Sequence, residues 1–157
     1  MNDTENKSPL TLESSRFGRV EIAPAAVIEF PDGLIGLVGT RWTLIRSDEK
    51  SPFLWLHSLD DGGLALPVTN PLHFFPKFRL ELSEAEASRL EIDESSAIDV
   101  YVTVRAAPVL SDFAANLRAP IIVHAETGHQ VINQQAGSEL RALLFPAAAD
   151  LASSSAA

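Results

Sequence analysis

A short apolar run followed by a tight turn constrains the fold of this chain more than any other feature. Phe53-Leu54-Trp55-Leu56 is continuously apolar, and Asp60-Asp61-Gly62-Gly63 follows it. Asp caps its own backbone in turns and Gly accepts positive φ, so this tetrapeptide predicts a tight turn. Every second residue of 64–68 is Leu or Val, which is typical of a strand with one buried face. The sequence therefore predicts a β-hairpin over residues 53–68.

The first strand of this hairpin has two apolar faces. Successive side chains of a strand point to opposite sides, so the run 53–56 is apolar on both. Either a second layer of the protein covers the outer face, or that face binds a partner. Phe74-Phe75 poses the same alternative, because two adjacent rings in an extended loop cannot both point inward. The residues alone leave both interpretations open.

The rest of the chain reads as many short strands and one short helix. Asn70-Pro71 ends the hairpin, since the residue before Pro is biased to extended geometry. Alternation or short apolar runs predict further strand pieces over residues 20–22, 27–30, 41–46, 78–82, 98–104, 114–117, 121–123 and 131–132. Turns are predicted at 17–19, 31–33 and 126–128. This pattern indicates a single all-β domain.

The predicted helix begins with a capping box, Ser83-Glu84-Ala85-Glu86. The Ser83 hydroxyl can accept from the Glu86 amide, which fixes a helix N-terminus. The helix should end near Leu90, with Ala85, Ala87 and Leu90 facing inward. We regard it as a candidate cover for the outer face of the central strand.

Charge limits the classes of partner. The net charge is −9, and the span 81–99 holds seven acids and one base, Arg89. Nucleic acid backbones are bound by Lys and Arg, so direct binding to RNA or DNA is disfavoured. An acidic surface can instead steer a basic protein partner. Plain solubility explains the same charge equally well.

We find no constellation that indicates an enzyme or a cofactor site. The chain has no cysteine, which excludes disulfides and thiolate metal sites. Gly33, Gly36 and Gly39 lack the residues of a phosphate loop. Asp60-Asp61 lacks the spacing of a calcium loop. The four histidines form no metal motif, although two of them flank a predicted turn: His57, His73, His124 and His129. We expect no catalytic residues, no metal and no cofactor.

The ends of the chain differ in composition from its middle. Residues 1–9 are polar and residues 146–157 are rich in Ala and Ser, and we expect both to be disordered. One folded domain is expected over residues 10–145. No apolar run approaches the ~20 residues of a membrane helix, and the first residues lack the apolar core of a secretory signal.

Several segments, in order, resemble the flagellar assembly factor FliW family over about residues 10–144. The stretch 51–76, SPFLWLHSLDDGGLALPVTNPLHFFP, is similar to the family's SPF-W-LQS-D strand, LAF-V-NP strand and FFP exit. Phe30–Gly36 resembles its FP-x-G-I-x-G loop, and Asn116–Ile121 resembles its N-L-x-AP-I segment. The order and spacing of these segments make the resemblance specific.

The chain also departs from the family pattern. His57 stands where Gln is usual. Residues 140–145 replace the Arg-x-Pro-Leu-like segment with which members commonly end. If that region contributes to a partner surface, the resemblance does not settle the choice of partner.

The resemblance implies a cytoplasmic, compact, antiparallel β-barrel-like domain with two protein partners. One is CsrA, the carbon storage regulator, a small RNA-binding protein that represses flagellin translation. The other is flagellin itself. In the implied partner switch, export of flagellin frees the protein to bind CsrA, which then leaves the flagellin mRNA. We expect a monomer when no partner is bound, and no direct contact with nucleic acid or membrane.

Two groups of residues are candidate partner contacts. The first is an apolar group beside the Asn-Pro pair and consists of Asn70, Pro71, Phe74 and Phe75. The second consists of the helix acids Glu84, Glu86 and Glu91. Packing in the core is the competing role for the first group, and a solvated helix face for the second. The competing function is a generic acidic β-barrel module that binds another protein or a small ligand.

Overall fold

Eleven strands and one α-helix make up the main regular structure of the described residues. The computed structural model describes residues 9–93 and 95–146. Its strands are β1 (Leu10–Ser14), β2 (Gly18–Ile22), β3 (Ile28–Glu29), β4 (Arg41–Ile45), β5 (Phe53–Ser58), β6 (Ala65–Thr69), β7 (Asp99–Arg105), β8 (Ala114–Ala115), β9 (Ile121–His124), β10 (Thr127–Gln130) and β11 (Ala142–Leu143). The helix, α1, spans Glu84–Leu90. Among these residues, no helix has both the length and the apolar character needed to cross a membrane.

Seven of the strands close into a barrel. Their order is β7-β6-β5-β4-β3-β10-β9, and β9 pairs back with β7. Six of these seven pairings are antiparallel, and only β3 with β10 is parallel. The predicted fold class, an all-β antiparallel barrel with one short helix, is confirmed with this one exception. The strands β8 and β11 extend the sheet beyond β7, and β1 and β2 form a separate hairpin.

The central hairpin forms as predicted. Phe53 pairs with Thr69 at one end of the β5–β6 ladder, and His57 pairs with Ala65 at the other. The Ser58 hydroxyl accepts hydrogen bonds from two backbone amides of the turn, each at 3.0 Å. The Asp61 carboxylate accepts from the Gly63 amide at 2.9 Å. Side chains thus satisfy the turn backbone locally, which fixes the hairpin register.

The inner face of β5 helps to fill the barrel. Leu56 packs there with Trp42 of β4, Val68 of β6 and Ile121 of β9, all buried. Phe30, which follows β3, is fully buried in the same cluster. The interior is thus filled by side chains, as is usual for a small barrel.

The outer face of β5 is covered by the β1–β2 hairpin. The Phe17 ring meets Trp55 edge-on with centroids 6.2 Å apart, and the Arg16 guanidinium lies 4.0 Å from the Trp55 ring centroid. His57 is buried and donates from Nδ1 to the Ser58 carbonyl at 2.7 Å. Its Nε2 then accepts from the Ser14 hydroxyl at 2.8 Å. The first alternative for the two-faced strand, a second layer, is therefore the one observed.

The prediction that α1 covers this strand is wrong. None of its residues is buried, and Ala85, predicted to face inward, is exposed. Ala87 and Leu90 are half-buried. A seven-residue helix that offers Ala at its inward positions has little apolar surface to bury. The aromatic side chain of Phe17, which packs on Trp55 instead, has a larger apolar surface.

A second core lies outside the barrel. Val102 of β7 pairs with Thr69, which lies opposite Phe53, so Val102 shares the outer face of β5 and β6. It packs with Val104 and with a set of partly buried rings: Phe53, Phe74, Phe75, Phe113 and Phe145. Tyr101 faces the other way, and its burial raises the pKa of its hydroxyl. The predicted alternation of β7 is correct, and its apolar side builds this second core.

Residues 78–82 do not form the predicted strand. The segment is held mainly by side-chain amides, and the Gln134 amide adds a single backbone hydrogen bond to the Glu81 carbonyl at 2.7 Å in place of a ladder. The Asn133 side chain accepts from the Glu81 amide at 2.9 Å and donates to the Arg79 carbonyl at 3.0 Å. The Gln135 side chain accepts from the Arg79 amide at 2.9 Å. The alternation of apolar and charged residues correctly predicted which side chains of this segment are exposed. It did not predict the groups that form hydrogen bonds to its backbone.

The β9–β10 hairpin turns slightly earlier in the sequence than predicted. The turn of the β9–β10 hairpin lies at Ala125-Glu126, where Ala125 has φ of 56°, earlier than the predicted 126–128. Thr127 and Gly128 already belong to β10.

The predicted disordered ends, 1–9 and 146–157, fall almost entirely outside the described residues, which include only Pro9 and Pro146 of these two segments.

Close packing of Phe30 against Gly128 yields a stability prediction. A Cβ at Gly128 would collide with three atoms of the buried Phe30 ring. We expect Gly128→Ala to lower the free energy of unfolding by about 1–3 kcal/mol, because an overpacked core must shift. Denaturant unfolding measures this. Gly63→Ala is the matched control, since a Cβ there meets side-chain atoms only at 3.5 and 3.7 Å. Equal losses in the two variants would contradict the prediction.

Candidate protein-binding surfaces

The segment after β6 is a capped turn with one face buried. The Asn70 side-chain oxygen Oδ1 accepts from the Leu72 amide at 2.9 Å and caps a 3-10 helix over Pro71–His73. Pro71 is buried, whereas the Leu72 side chain is 56% exposed. Asn70 and Pro71 thus shape this turn, and Leu72 is the apolar side chain that it presents to solvent.

Phe74 and Phe75 pack in the second core. The Phe74 ring stacks on Phe53 with centroids 5.6 Å apart and meets Phe145 edge-on at 5.5 Å. Both rings are half-buried. This geometry favours core packing as their main role. A role as partner anchors stays a prediction for Phe74 and Phe75.

The helix acids lie on an exposed surface. We call the acids at 81, 84, 86, 91, 93 and 99 the acidic surface; all are exposed except the half-buried Glu86. Arg89 donates to Glu86 at 3.3 Å and to Asp32 at 3.0 Å. The hydrogen bonds to Asp32 and Glu86 raise the pKa of Arg89. Arg89 therefore partly neutralises Glu86, whereas no salt bridge among the described residues involves Glu84 or Glu91.

Residues near the C-terminal end of α1 keep this surface anionic. Glu91 ends the helix in the left-handed conformation with φ of 56°. Hydrogen bonds from the Ser95 side chain and amide lower the pKa of Asp93. Asp93 therefore remains ionised well below neutral pH.

The two predicted groups of partner contacts lie on different elements, the turn after β6 and the helix α1. In the part of the chain that the structure describes, no hydrogen bond or ion pair joins Asn70, Phe74 or Phe75 to an acid of α1. Through Arg89, α1 is tied instead to Asp32 in the Phe30–Gly36 loop. Their use by a partner stays a prediction.

A third surface was not predicted from the sequence. A groove of about 850 Å³ opens between the Phe30–Gly36 loop, the β7–β9 region and residues 140–141. Two of the motif segments meet here, because the Gln130 side chain accepts from the Ile35 amide at 2.9 Å and donates to the Ala119 carbonyl at 3.0 Å. A glycine-flanked apolar run, Leu34-Ile35-Gly36-Leu37-Val38, was the available signal. It is too apolar for an ordinary solvated turn.

The histidines do not gather into a metal site. Within residues 9–93 and 95–146, no group of three metal-ligating side chains is found. His124 pairs with Thr127 across the hairpin, and His129 pairs with Ile122. The Nδ1 atom of His129 lies 3.7 Å from the Asp32 carboxylate. His124 and His129 therefore occupy ladder positions of the β9–β10 hairpin.

Comparison with known proteins identifies relatives across most of the chain. The sequence model of the family described as FliW protein matches residues 11–144. The chain is 35% identical to the flagellar assembly factor FliW of Alkaliphilus metalliredigens, and 39% identical to that of Syntrophus aciditrophicus, each over 74% of both chains. It is also similar to a crystal structure of the flagellar assembly factor FliW, with a TM-score of 0.77, 26% identity, and coverage of 87% of this chain and 98% of that one.

Truncation of Phe74 separates a core role from a surface role. We expect Phe74→Ala to lower the free energy of unfolding by about 1.5–3 kcal/mol, less than for a fully buried ring, because it removes the contacts with Phe53 and Phe145. Thermal and denaturant unfolding measure this change. Leu72→Ala, at a 56% exposed side chain on the same turn, should leave stability unchanged. A Phe74→Ala protein as stable as the parent would show that the ring is available to a partner.

Proposed function

The chain belongs to the FliW family of flagellar assembly factors, and on that premise we propose that it binds two proteins, CsrA and flagellin, in a partner switch. While flagellin accumulates in the cytoplasm, it occupies the protein. When flagellin is exported, the freed protein binds CsrA and withdraws it from the flagellin mRNA. The observation that carries the proposal is the family match over residues 11–144.

The architecture supports a role in binding over a role in catalysis. The barrel is filled by Phe30, Trp42, Leu56 and their neighbours, so a small ligand has little room inside it. The acidic surface and the groove, which Arg105, Arg118 and Arg141 line, are both accessible from solvent. Both are suited to protein partners.

The acidic surface supplies the physical basis for antagonism of CsrA. A protein that binds RNA presents Lys and Arg to the phosphates. An acidic surface that docks beside those side chains attracts the protein and repels the RNA backbone. Glu84 and Glu91 are exposed at the two ends of α1, so their charges are accessible to a partner.

A calorimetric titration tests the proposal directly. We expect the protein to bind CsrA and, in a separate titration, flagellin from the same organism. A competition between the two partners then reports whether one displaces the other. Binding to flagellin alone would contradict the proposed control of translation through CsrA. Binding to neither partner would overturn the proposed function.

Charge reversal tests the role of the acidic surface. We expect the triple variant Glu84→Lys, Glu86→Lys, Glu91→Lys to slow CsrA association by about tenfold or more at low salt, because steering is lost. The salt dependence of association should also fall. Stopped-flow kinetics at several salt concentrations measures both.

The control variant changes the net charge equally elsewhere. Glu29→Lys, Glu49→Lys, Glu126→Lys reverses three exposed acids outside the acidic surface. It should retain most of the association rate. Equal rates and equal salt slopes in the two triple variants would assign the effect to net charge alone.

A further inference from the structure

The groove is an apolar depression with large side chains exposed at its margin. Leu34, Leu37 and Ile121 contribute to its apolar lining. Ile35 is 68% exposed and Leu140 is 65% exposed, and both line the same groove. Large exposed apolar side chains gathered around one depression, in contrast to scattered ones, are typical of an interaction site.

The charge of the groove is opposite to that of the whole protein. Arg105, Arg118 and Arg141 line it and are exposed, and no acidic side chain among the described residues lines it. None of the salt bridges among residues 9–93 and 95–146 involves these arginines. In a chain of net charge −9, the groove is a local cationic surface. It can therefore accept carboxylates alongside apolar side chains.

The walls of the groove are held at a fixed separation. Gln130 accepts from the Ile35 amide with one end of its side chain and donates to the Ala119 carbonyl with the other. The first bond fixes the Phe30–Gly36 loop and the second fixes the Asn116–Ile121 segment. A groove already formed before binding loses little conformational entropy when a partner enters.

We propose that this groove docks a segment of flagellin that carries both apolar side chains and carboxylates. The inference rests on the proposed function, in which the protein has two partners. The basic regulator fits the acidic surface, so the cationic groove is left for the other partner. The two partners then bind surfaces of opposite charge. Their mutual exclusion in the proposed switch requires a connection between the surfaces, and the Phe30–Gly36 loop supplies one, because its Asp32 binds Arg89 of α1 and its Leu34 and Ile35 line the groove.

The test compares variants of the groove with a matched charge control. The groove charge variant is Arg105→Glu, Arg118→Glu, and the groove apolar variant is Ile35→Ser, Leu140→Ser. The control, Arg19→Glu, Arg79→Glu, makes the same charge change at two exposed arginines outside the groove. All six side chains are exposed, so the fold should persist, and thermal unfolding checks this.

The readout is calorimetric affinity of each variant for flagellin and, separately, for CsrA. We expect both groove variants to lose flagellin affinity by about tenfold or more while the control does not, and all three to retain CsrA binding. Flagellin affinity of the parent protein should also fall as salt rises.

Three results would count against the proposal, and they are distinguishable. Parent-like flagellin binding by both groove variants would exclude the groove as the docking surface while leaving the proposed function intact. Loss of both partners in the groove variants would show a shared surface and overturn the assignment of separate ones. Failure of the parent protein to bind flagellin would overturn the proposed function itself, and this inference with it.

Discussion

Burial of β5 on both of its faces is the constraint on which the rest of this structure depends. Leu54 and Leu56 point into the barrel, whereas Phe53, Trp55 and His57 point out of it. A closed barrel covers only the first face. The second face requires material from elsewhere in the chain, and the β1–β2 hairpin and the ring cluster around Phe74 provide it. Much of the aromatic surface that could bind a partner is thereby used in packing.

The sequence predicted the local elements well because their signals are local. The turn after β5, the capping box at Ser83 and the alternation of β7 each depend on neighbouring residues, and each is present. The cover of β5 could not be predicted in this way, since it depends on which distant segment has more apolar area. The segment 78–82 failed for a related reason. Its partners are side chains of Asn133 and Gln135, and strand periodicity contains no information about them.

The candidate sites also differ in whether their signals are local in the sequence. The exposed acids of α1 follow from a short amphipathic helix and were predictable from charge and capping. The groove was not, because Arg105, Arg118 and Arg141 come from separate segments that only the closed barrel brings together. The motif resemblance identified two of its walls without showing that they face each other. Gln130, which joins those walls, carries no signal in the sequence that separates it from any other glutamine.

The barrel is not closed equally strongly around its circumference. The parallel seam between β3 and β10 consists of one residue pair, Thr127 with Glu29, whereas β5 pairs along most of its length on both sides. Local opening takes the path that breaks the fewest hydrogen bonds, and here that path is the seam. Phe30 lies over Gly128 immediately beside it, and the loop that follows Phe30 forms a wall of the groove. By this count the seam is the weakest line in the barrel wall, and the β5 side, paired along both of its edges, is the strongest.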